Sequence, residues 1–184
     1  MQRIAFSDDQ QAFKELFQRY YSYLLYFSNS FVKCKEAAEE IVEDVFVSLW
    51  NKRKNLSDIS NLRIYLYVAV KNLSLNYLQR RGYPFEDLDQ LDVSSVGFSP
   101  TPEHLIVASE MLQAINKAVS ELPPRCRIVY KLVKEDGLRY KEVADILQIS
   151  PRTVENHVAT ALHKIAKEIN IDLKTFSFKN EKTS

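Results

Sequence analysis

The chain has 184 residues, 46% of them hydrophobic and 27% charged, and a formal net charge of +1. This balance is typical of a globular protein with one ordinary domain or two small ones. Only 3 glycines leave little room for hairpins, no apolar run approaches the roughly 18 residues of a membrane span, and the N-terminus lacks the apolar segment of a signal peptide. We therefore expect an all-α, cytoplasmic protein without direct membrane insertion.

Charge is distributed unevenly along the chain. Residues 1–49 contain 5 Lys/Arg and 8 Asp/Glu, whereas residues 50–81 contain 7 Lys/Arg and a single acid, Asp58. Residues 82–102 contain 4 acids and no Lys or Arg. This acidic, basic, acidic order predicts two kinds of partner surface.

The cysteines and histidines give no sign of a redox or metal site. Cys34 and Cys126 cannot form a disulfide framework and lie within helical patterns, so we expect small core residues of a reduced protein. His104, His157 and His163 lack metal-ligand spacing. Since the chain also lacks a nucleophile motif and a Gly-rich phosphate loop, we predict no metal, no cofactor, no small-molecule substrate and no enzyme activity.

Two amphipathic helices are predicted in the first fifty residues. Residues 8–30 carry an aromatic stripe after Asp8 or Asp9 as N-cap, and a stripe on one helical face favours a core role over a ligand box. Residues 35–50 form the second helix, whose polar face repeats like charges that weaken it slightly. That face favours a basic partner, with a merely solvated helix as the alternative. Its carboxylates are Glu36, Glu39, Glu40, Glu43 and Asp44.

A polar, basic connection at 51–61 leads to a third helix at 62–81. Aromatic, amide and basic side chains interleave on the side of this helix that the apolar pattern leaves available. Such a mixture suits unpaired bases, which offer faces for stacking and edges for hydrogen bonds, although a plain core helix would also fit. The available residues are Arg63, Tyr67, Lys71, Asn72, Asn76 and Arg80.

The chain is predicted to form two small helical domains joined by a flexible acidic linker. Residues 1–81 form the first domain, and the linker at 82–102 is interrupted by prolines. A second domain of four helices follows at 103–171, with a frayed tail at 172–184. Each domain has its own apolar set, so we expect the two to fold separately.

The second domain ends in a helix-turn-helix at 138–167. Ser150 is a good N-cap and Pro151 suits the first position of the second helix. Gln148 stands where the tight turn favours glycine, and Arg139 where a Ser or Thr cap is usual; each departure costs about 1 kcal/mol. The outward faces, available to base edges or phosphates, carry Arg152, Thr153, Glu155, Asn156, Thr160 and Lys164.

Four segments together resemble bacterial RNA polymerase sigma factors of the sigma-70 superfamily, in the extracytoplasmic-function (ECF) group. They are AEEIVEDVFVSLW at 38–50, NLRIYLYVAVKNLSLNYL at 61–78, ELPPRCRIVYKLVKEDGLRYKEVADILQIS at 121–150 and the helix after Pro151. The resemblance covers almost the whole chain. Its specificity lies in the order and spacing of the segments rather than in any single motif.

The resemblance implies an alternative sigma factor that binds core polymerase and opens a two-part promoter. The polymerase contacts it implies are the β′ clamp helices, through Glu40, Glu43 and Asp44, and the β flap. The second domain would read the minus-35 element with the six outward residues of the helix-turn-helix, and an anti-sigma protein would be a further partner. The minus-10 element would meet Lys52, Arg53, Lys54, Arg63, Lys71, Asn72, Asn76 and Arg80.

Two other functions fit parts of the sequence. The segment PRTVENHVATALHKI at 151–165 also resembles the DNA-binding domain of LuxR-type regulators, whose N-terminal half would sense a ligand or partner. The acidic second helix and the amide-rich third helix argue against a sensor, since a sensor needs neither. A helical adaptor that makes only protein contacts is the third possibility.

Overall fold

The computed structural model describes residues 4–5, 9–82 and 109–169, and the regular elements in these ranges are all helices, which confirms the all-α prediction. The predicted linker at 82–102 lies outside the described residues except for Gly82, and the tail at 172–184 lies outside them entirely. Among the described helices none is long and apolar enough to cross a bilayer. The helices are α1 (Gln10–Val32), α2 (Lys35–Asn51), a 3₁₀ helix (Arg53–Asp58), α3 (Leu62–Arg80), α4 (Ser109–Ser120), α5 (Pro124–Lys134), α6 (Tyr140–Leu147) and α7 (Pro151–Glu168).

The N-terminal half, residues 4–82, is built on the pairing of α1 with α2 and α3. Asp9 caps α1, because its Oδ1 accepts a hydrogen bond from the Ala12 amide at 2.9 Å. The aromatic stripe of α1 packs inward as expected: the ring centroids of Phe13 and Phe17 lie 6.1 and 4.8 Å from that of Phe46 on α2. Edge-on and tilted contacts at these distances are favourable for aromatic rings.

The connection between α2 and α3 is more ordered than its polar sequence predicts. A 3₁₀ helix occupies Arg53–Asp58, and Leu56 from its middle is fully buried. Arg53 donates a hydrogen bond to the Trp50 carbonyl at 3.1 Å, and its guanidinium carbon lies 4.6 Å from the centre of the Trp50 ring. One apolar anchor and one stacked cation therefore fix the position of the basic segment.

In the C-terminal half, residues 109–169, the helix-turn-helix has the predicted local chemistry. Ser150 Oγ accepts from the Thr153 amide at 3.0 Å, and Pro151 begins α7. Gln148 adopts the left-handed conformation with φ of 57° that glycine usually supplies. Arg139 provides no side-chain cap for α6, but the Glu142 carboxylate accepts from the Arg139 amide at 2.8 Å and partly replaces it.

The two halves pack against each other through one continuous apolar cluster. Leu66 and Val70 of α3 belong to the same cluster as Leu132 of α5 and Val143 and Ile146 of α6. A second, smaller cluster lies wholly within the C-terminal half and consists of Ala118, Val119, Leu122, Cys126, Ala161 and Ile165. Separate folding of the two halves stays a prediction, but the shared cluster shows that they are in contact.

Polar contacts on α3 complete this contact between the halves. Tyr67 Oη donates to Asp136 Oδ2 at 2.6 Å, and the Arg63 guanidinium donates to the Asp136 carbonyl. The expectation that Tyr67 and Lys71 are available on an outward face is wrong, because their exposures are 1% and 6%. The helical period alone could not show that α5 and α6 cover this side of α3.

We predict that Asp136→Asn flattens the pH dependence of stability between about pH 4 and 6. Burial raises the pKa of Asp136 to about 6, and the hydrogen bond from Tyr67 offsets this only in part. Since the carboxyl binds its proton more tightly in the folded chain than in the unfolded one, its contribution is largest at low pH and is lost as pH rises through 6. Asparagine still accepts from Tyr67 but does not titrate.

Urea unfolding measured across pH 4 to 7 tests this prediction. The wild type should lose about 1–3 kcal/mol of unfolding free energy that the variant retains. Asp145→Asn, which removes an exposed carboxylate of α6, is the matched control and should behave like the wild type. Parallel pH profiles for the wild type and Asp136→Asn would contradict the role given to burial.

Candidate functional site

The acidic face of α2 is solvent-exposed and adjoins an exposed apolar side chain. Glu40, Glu43 and Asp44 are exposed, and within the described part of the chain none of them forms an ion pair. Glu39, by contrast, lies 3.6 Å from Lys35. Val47 lies one turn beyond Glu43 and Asp44 with an exposure of 58%, so an exposed apolar side chain adjoins the unneutralised carboxylates.

An open groove of about 480 Å³ lies beside this face, between α1 and α2. Aromatic side chains form most of its walls, and Glu43 and Val47 join it to the acidic face. The sequence does not predict this groove, because an aromatic stripe on one helical face indicates only a core role. Val47, which falls outside the buried stripe of α2, was the available signal. The lining residues are Gln10, Phe13, Phe17, Glu43, Phe46, Val47 and Trp50.

The basic segment after α2 presents two of its three cations to solvent. Lys52 and Lys54 are exposed, whereas Arg53 is half-buried and stacks on Trp50. Two flexible ammonium groups on a fixed 3₁₀ turn are suited to a phosphate backbone. Arg53 is tied to the protein itself, so its guanidinium is less available than the sequence predicted.

Helix α3 has two polar stripes that face in different directions. Asn72, Asn76 and Arg80, spaced four residues apart, are exposed. Arg63 and Lys71 share the other stripe with Tyr67: Arg63 donates to Asp136, and Lys71 is buried. Of the residues predicted to face DNA on this helix, the structure brings the two amides and Arg80 together on an open surface and places Arg63 and Lys71 at the contact between the halves.

The reader face of α7 is exposed, and some of its groups are already paired. Arg152 Nη1 lies 2.7 Å from Glu155 Oε2, so each neutralises the other in the free protein. Asn156 and Lys164 are exposed, and the Thr160 hydroxyl donates to the Asn156 carbonyl at 2.9 Å. Thr153 is half-buried, and its hydroxyl lies 2.8 Å from that of Ser150, which makes it part of the helix cap.

The two cysteines have different environments. Cys126 is buried, its Sγ lies 3.2 Å from His157 Nδ1, and burial raises the pKa of its thiol, so this cysteine behaves as the predicted core residue. Cys34 is only half-buried and lies just before α2, where its thiol donates to the Glu36 carboxylate at 3.2 Å. Cys34 therefore lies at the edge of the core, since it packs against the apolar cluster without being fully buried.

An exposed acidic face, an amide stripe and a helix-turn-helix reader thus lie on one helical chain, and family comparisons agree with this combination. The model of Sigma-70 region 2 matches residues 16–83, and the model of Sigma-70 region 4 matches residues 112–165. Together they match more than half of the chain. The first contains the acidic face and the amide stripe, and the second contains the helix-turn-helix.

Individual proteins give the same result over most of the chain. The ECF RNA polymerase sigma-E factor of Escherichia coli (strain K12) is 25% identical over 169 residues, 88% of each chain. The RNA polymerase sigma-H factor of Pseudomonas aeruginosa is 23% identical over the same shares. The solved structure of the sigma factor RpoE in complex with the anti-sigma factor NepR from Bartonella quintana has a similar fold, with a TM-score of 0.63 and 23% identity; the match covers 88% of this chain and 99% of that one. The chain belongs to the ECF group of the sigma-70 family.

Proposed function

We propose that this chain is an alternative sigma factor that binds core RNA polymerase, recognises a promoter and initiates transcription. The observation that carries the proposal is the match of both halves, one to region 2 and one to region 4 of the sigma-70 family. The LuxR-like alternative is not favoured, because the region 2 match covers the half in which a sensor would have to lie.

In this proposal the acidic face of α2 docks on polymerase. The three exposed carboxylates Glu40, Glu43 and Asp44 attract the basic side chains of the β′ clamp helices, and Val47 adds an apolar contact beside them. The C-terminal half meets the β flap. The carboxylates of this face repel one another and weaken the helix slightly. A basic partner would account for this arrangement, because it would neutralise them.

The minus-10 element meets α3 and the basic segment before it. Asn72 and Asn76 offer amide donors and acceptors to the edges of unpaired bases, and the exposed cations Lys52, Lys54 and Arg80 are available for the phosphates. Arg53 contributes only if it leaves Trp50. Arg63 and Lys71 reach DNA only when the contact between α3 and the C-terminal half opens, which couples DNA access to a change in the arrangement of the halves.

The minus-35 element meets α7 in the major groove. Glu155 and Asn156 have the chemistry to read base edges, and Arg152 can do so once it exchanges Glu155 for a base. Lys164 and Thr160 lie further along the same helix, near the phosphate backbone, and Thr153 supports the N-terminus of the helix rather than reading a base.

Such a protein acts by binding and is not an enzyme by itself. It works in the cytoplasm, where its polymerase and template are. An anti-sigma protein is a further partner in this proposal, since the structurally similar RpoE was solved in complex with one. The acidic segment at 82–102 resembles the sigma-factor segment that is threaded through the RNA exit path, and in this proposal it lies there.

A pull-down with core polymerase, followed by run-off transcription from a two-part promoter, tests the function as a whole. A sigma factor should bind the polymerase and make transcription depend on the promoter. Binding to duplex DNA as a dimer without polymerase would instead favour the LuxR-like reading, and a lack of any DNA dependence would favour an adaptor.

We predict that Glu43→Lys combined with Asp44→Arg abolishes polymerase binding without unfolding the chain. Both side chains are exposed and make no ion pair among the described residues, so the substitutions remove only the charge offered to a basic partner. Circular dichroism should stay helical while affinity in a competition assay falls at least tenfold. Glu15→Lys, at an exposed carboxylate of α1, is the charge-reversal control. Unchanged affinity of the double variant would refute the docking surface.

We predict that Asn72→Ala and Asn76→Ala impair strand opening rather than duplex binding. Capturing bases offsets an unstacking cost of a few kcal/mol, and a template with mismatched minus-10 bases no longer carries that cost. Run-off transcription should therefore fall more on fully duplex templates than on pre-melted ones. Asn116→Ala, at an exposed amide of α4, should affect neither template. An equal loss on both templates would remove strand capture from α3.

We predict that Glu155→Ala and Lys164→Ala alter minus-35 binding in different ways. Glu155→Ala removes a possible base contact and releases Arg152, so base preference should change at one or two positions by about 1–3 kcal/mol each. Lys164→Ala removes a phosphate contact, so affinity should fall for every sequence and the salt dependence should flatten by about one unit of slope. Binding to a panel of minus-35 variants at two salt concentrations measures both. The same pattern for the two variants would contradict the assignment.

A further inference from the structure

A cavity of about 290 Å³ lies where the two halves meet. This volume is near the lower end of small-molecule sites in proteins. The walls come from α1, α3, α5, the turn between α6 and α7, and α7, and no carboxylate is among the described residues that line them. The apolar part of the lining is Phe31, Leu75, Ile128, Val129, Leu147 and Ile149.

Lys71 places a lysine side chain in this buried, largely apolar wall. It is only 6% exposed, and within the described ranges it makes no hydrogen bond or ion pair. Burial lowers the pKa of its ammonium, as expected for a cation taken out of water without a partner. A buried charge is normally paired, and leaving it unpaired destabilises the packed state.

We propose that the cavity is a binding site for a small organic anion with an apolar body. The anionic head pairs with Lys71, and the body packs against Leu75, Val129 and Ile149. Arg125 also lines the wall, and it already has a contact of its own within the chain, so the charge of the site rests on Lys71. A simple inorganic ion would satisfy the charge but leave the apolar walls bare, and an uncharged molecule would fill the walls but leave the ammonium unpaired.

Because the cavity lies between the two halves, a bound anion would stabilise their packed arrangement. Phe31, Lys71 and Leu75 come from the N-terminal half, and the remaining walls come from the C-terminal half. A ligand that binds only when these walls are together stabilises the packed arrangement by mass action. This binding site goes beyond the proposed function and does not depend on it, because ligand binding to the chain alone requires no polymerase.

Isothermal titration of the full chain with octanoate, octanol and acetate tests the site. Octanoate carries both the head and the body, octanol keeps the body without the charge, and acetate keeps the head without the body. We expect saturable one-to-one binding of octanoate, with octanol and acetate at least tenfold weaker. Octanoate should also raise the thermal midpoint of the chain.

Three variants test separately the charge of Lys71 and the volume of the cavity. Lys71→Met should weaken octanoate binding about tenfold or more and leave octanol unchanged, whereas Lys71→Arg should keep octanoate binding. Leu75→Trp should fill the cavity and weaken both ligands. Lys14→Met, which removes an exposed lysine of α1, is the matched control and should bind like the wild type. Circular dichroism checks that each variant folds. If Lys71→Met does not fold, the separate variants Lys71→Arg and Leu75→Trp still test the site.

Several results would overturn the proposal. One is the absence of saturable octanoate binding at millimolar concentration. Others are equal affinities for octanoate and octanol, which would mean a merely apolar cavity, and octanoate binding that survives Leu75→Trp unchanged. Any of these could occur in a protein that still supports promoter-dependent transcription, so the failure of the site and the failure of the proposed function are distinguishable.

Discussion

The hydrogen bond from Tyr67 to Asp136, 2.6 Å long, joins α3 to the segment between α5 and α6, and Arg63 donates to the carbonyl of the same aspartate. These contacts lie at the edge of an apolar cluster that both halves share. The contacts to Asp136 determine which side of α3 is covered by the C-terminal half. Since a helix turns by about 100° per residue, covering the stripe of Arg63, Tyr67 and Lys71 leaves the neighbouring stripe of Asn72 and Asn76 in solvent.

The surfaces proposed for partners differ in what the packed arrangement does to them. The acidic face of α2 and the reader face of α7 are open, so polymerase and minus-35 DNA could meet them without any rearrangement. The surface for unpaired bases is only partly open, because its amides are exposed while Lys71 is not. In the proposed function, polymerase could therefore dock before α3 is fully accessible to DNA. The reason for this order is that the acidic face is exposed whereas Lys71 is buried.

Local sequence signals predicted the helices, the Ser150 cap and the tight turn at Gln148, because periodicity, capping and turn chemistry act over a few residues. For the first helix they left Asp8 and Asp9 as alternative caps, and the structure has Asp9. Exposure of the α2 and α7 faces followed from the same patterns. Contacts between distant segments did not follow. Lys71 reads as a surface lysine in its own helix, but it is buried where α3 meets the C-terminal half. Val47 falls outside the buried stripe of α2, but a single exposed valine on a charged face does not by itself predict a groove.

The polar groups that make the contact between the halves specific also limit its strength. Asp136 is held at a raised pKa of about 6, so near neutral pH the packed arrangement contains a partly buried carboxylate that water would solvate better. Lys71 is buried without a partner in the described chain. An all-apolar contact would lack both penalties and would hold the halves together more firmly. In the proposed function α3 has to reach DNA, which would require a contact that forms in one register and still opens. The apolar cluster and the hydrogen bonds to Asp136 would favour the packed arrangement, and the desolvated charges of Asp136 and Lys71 would lower the free energy of opening it.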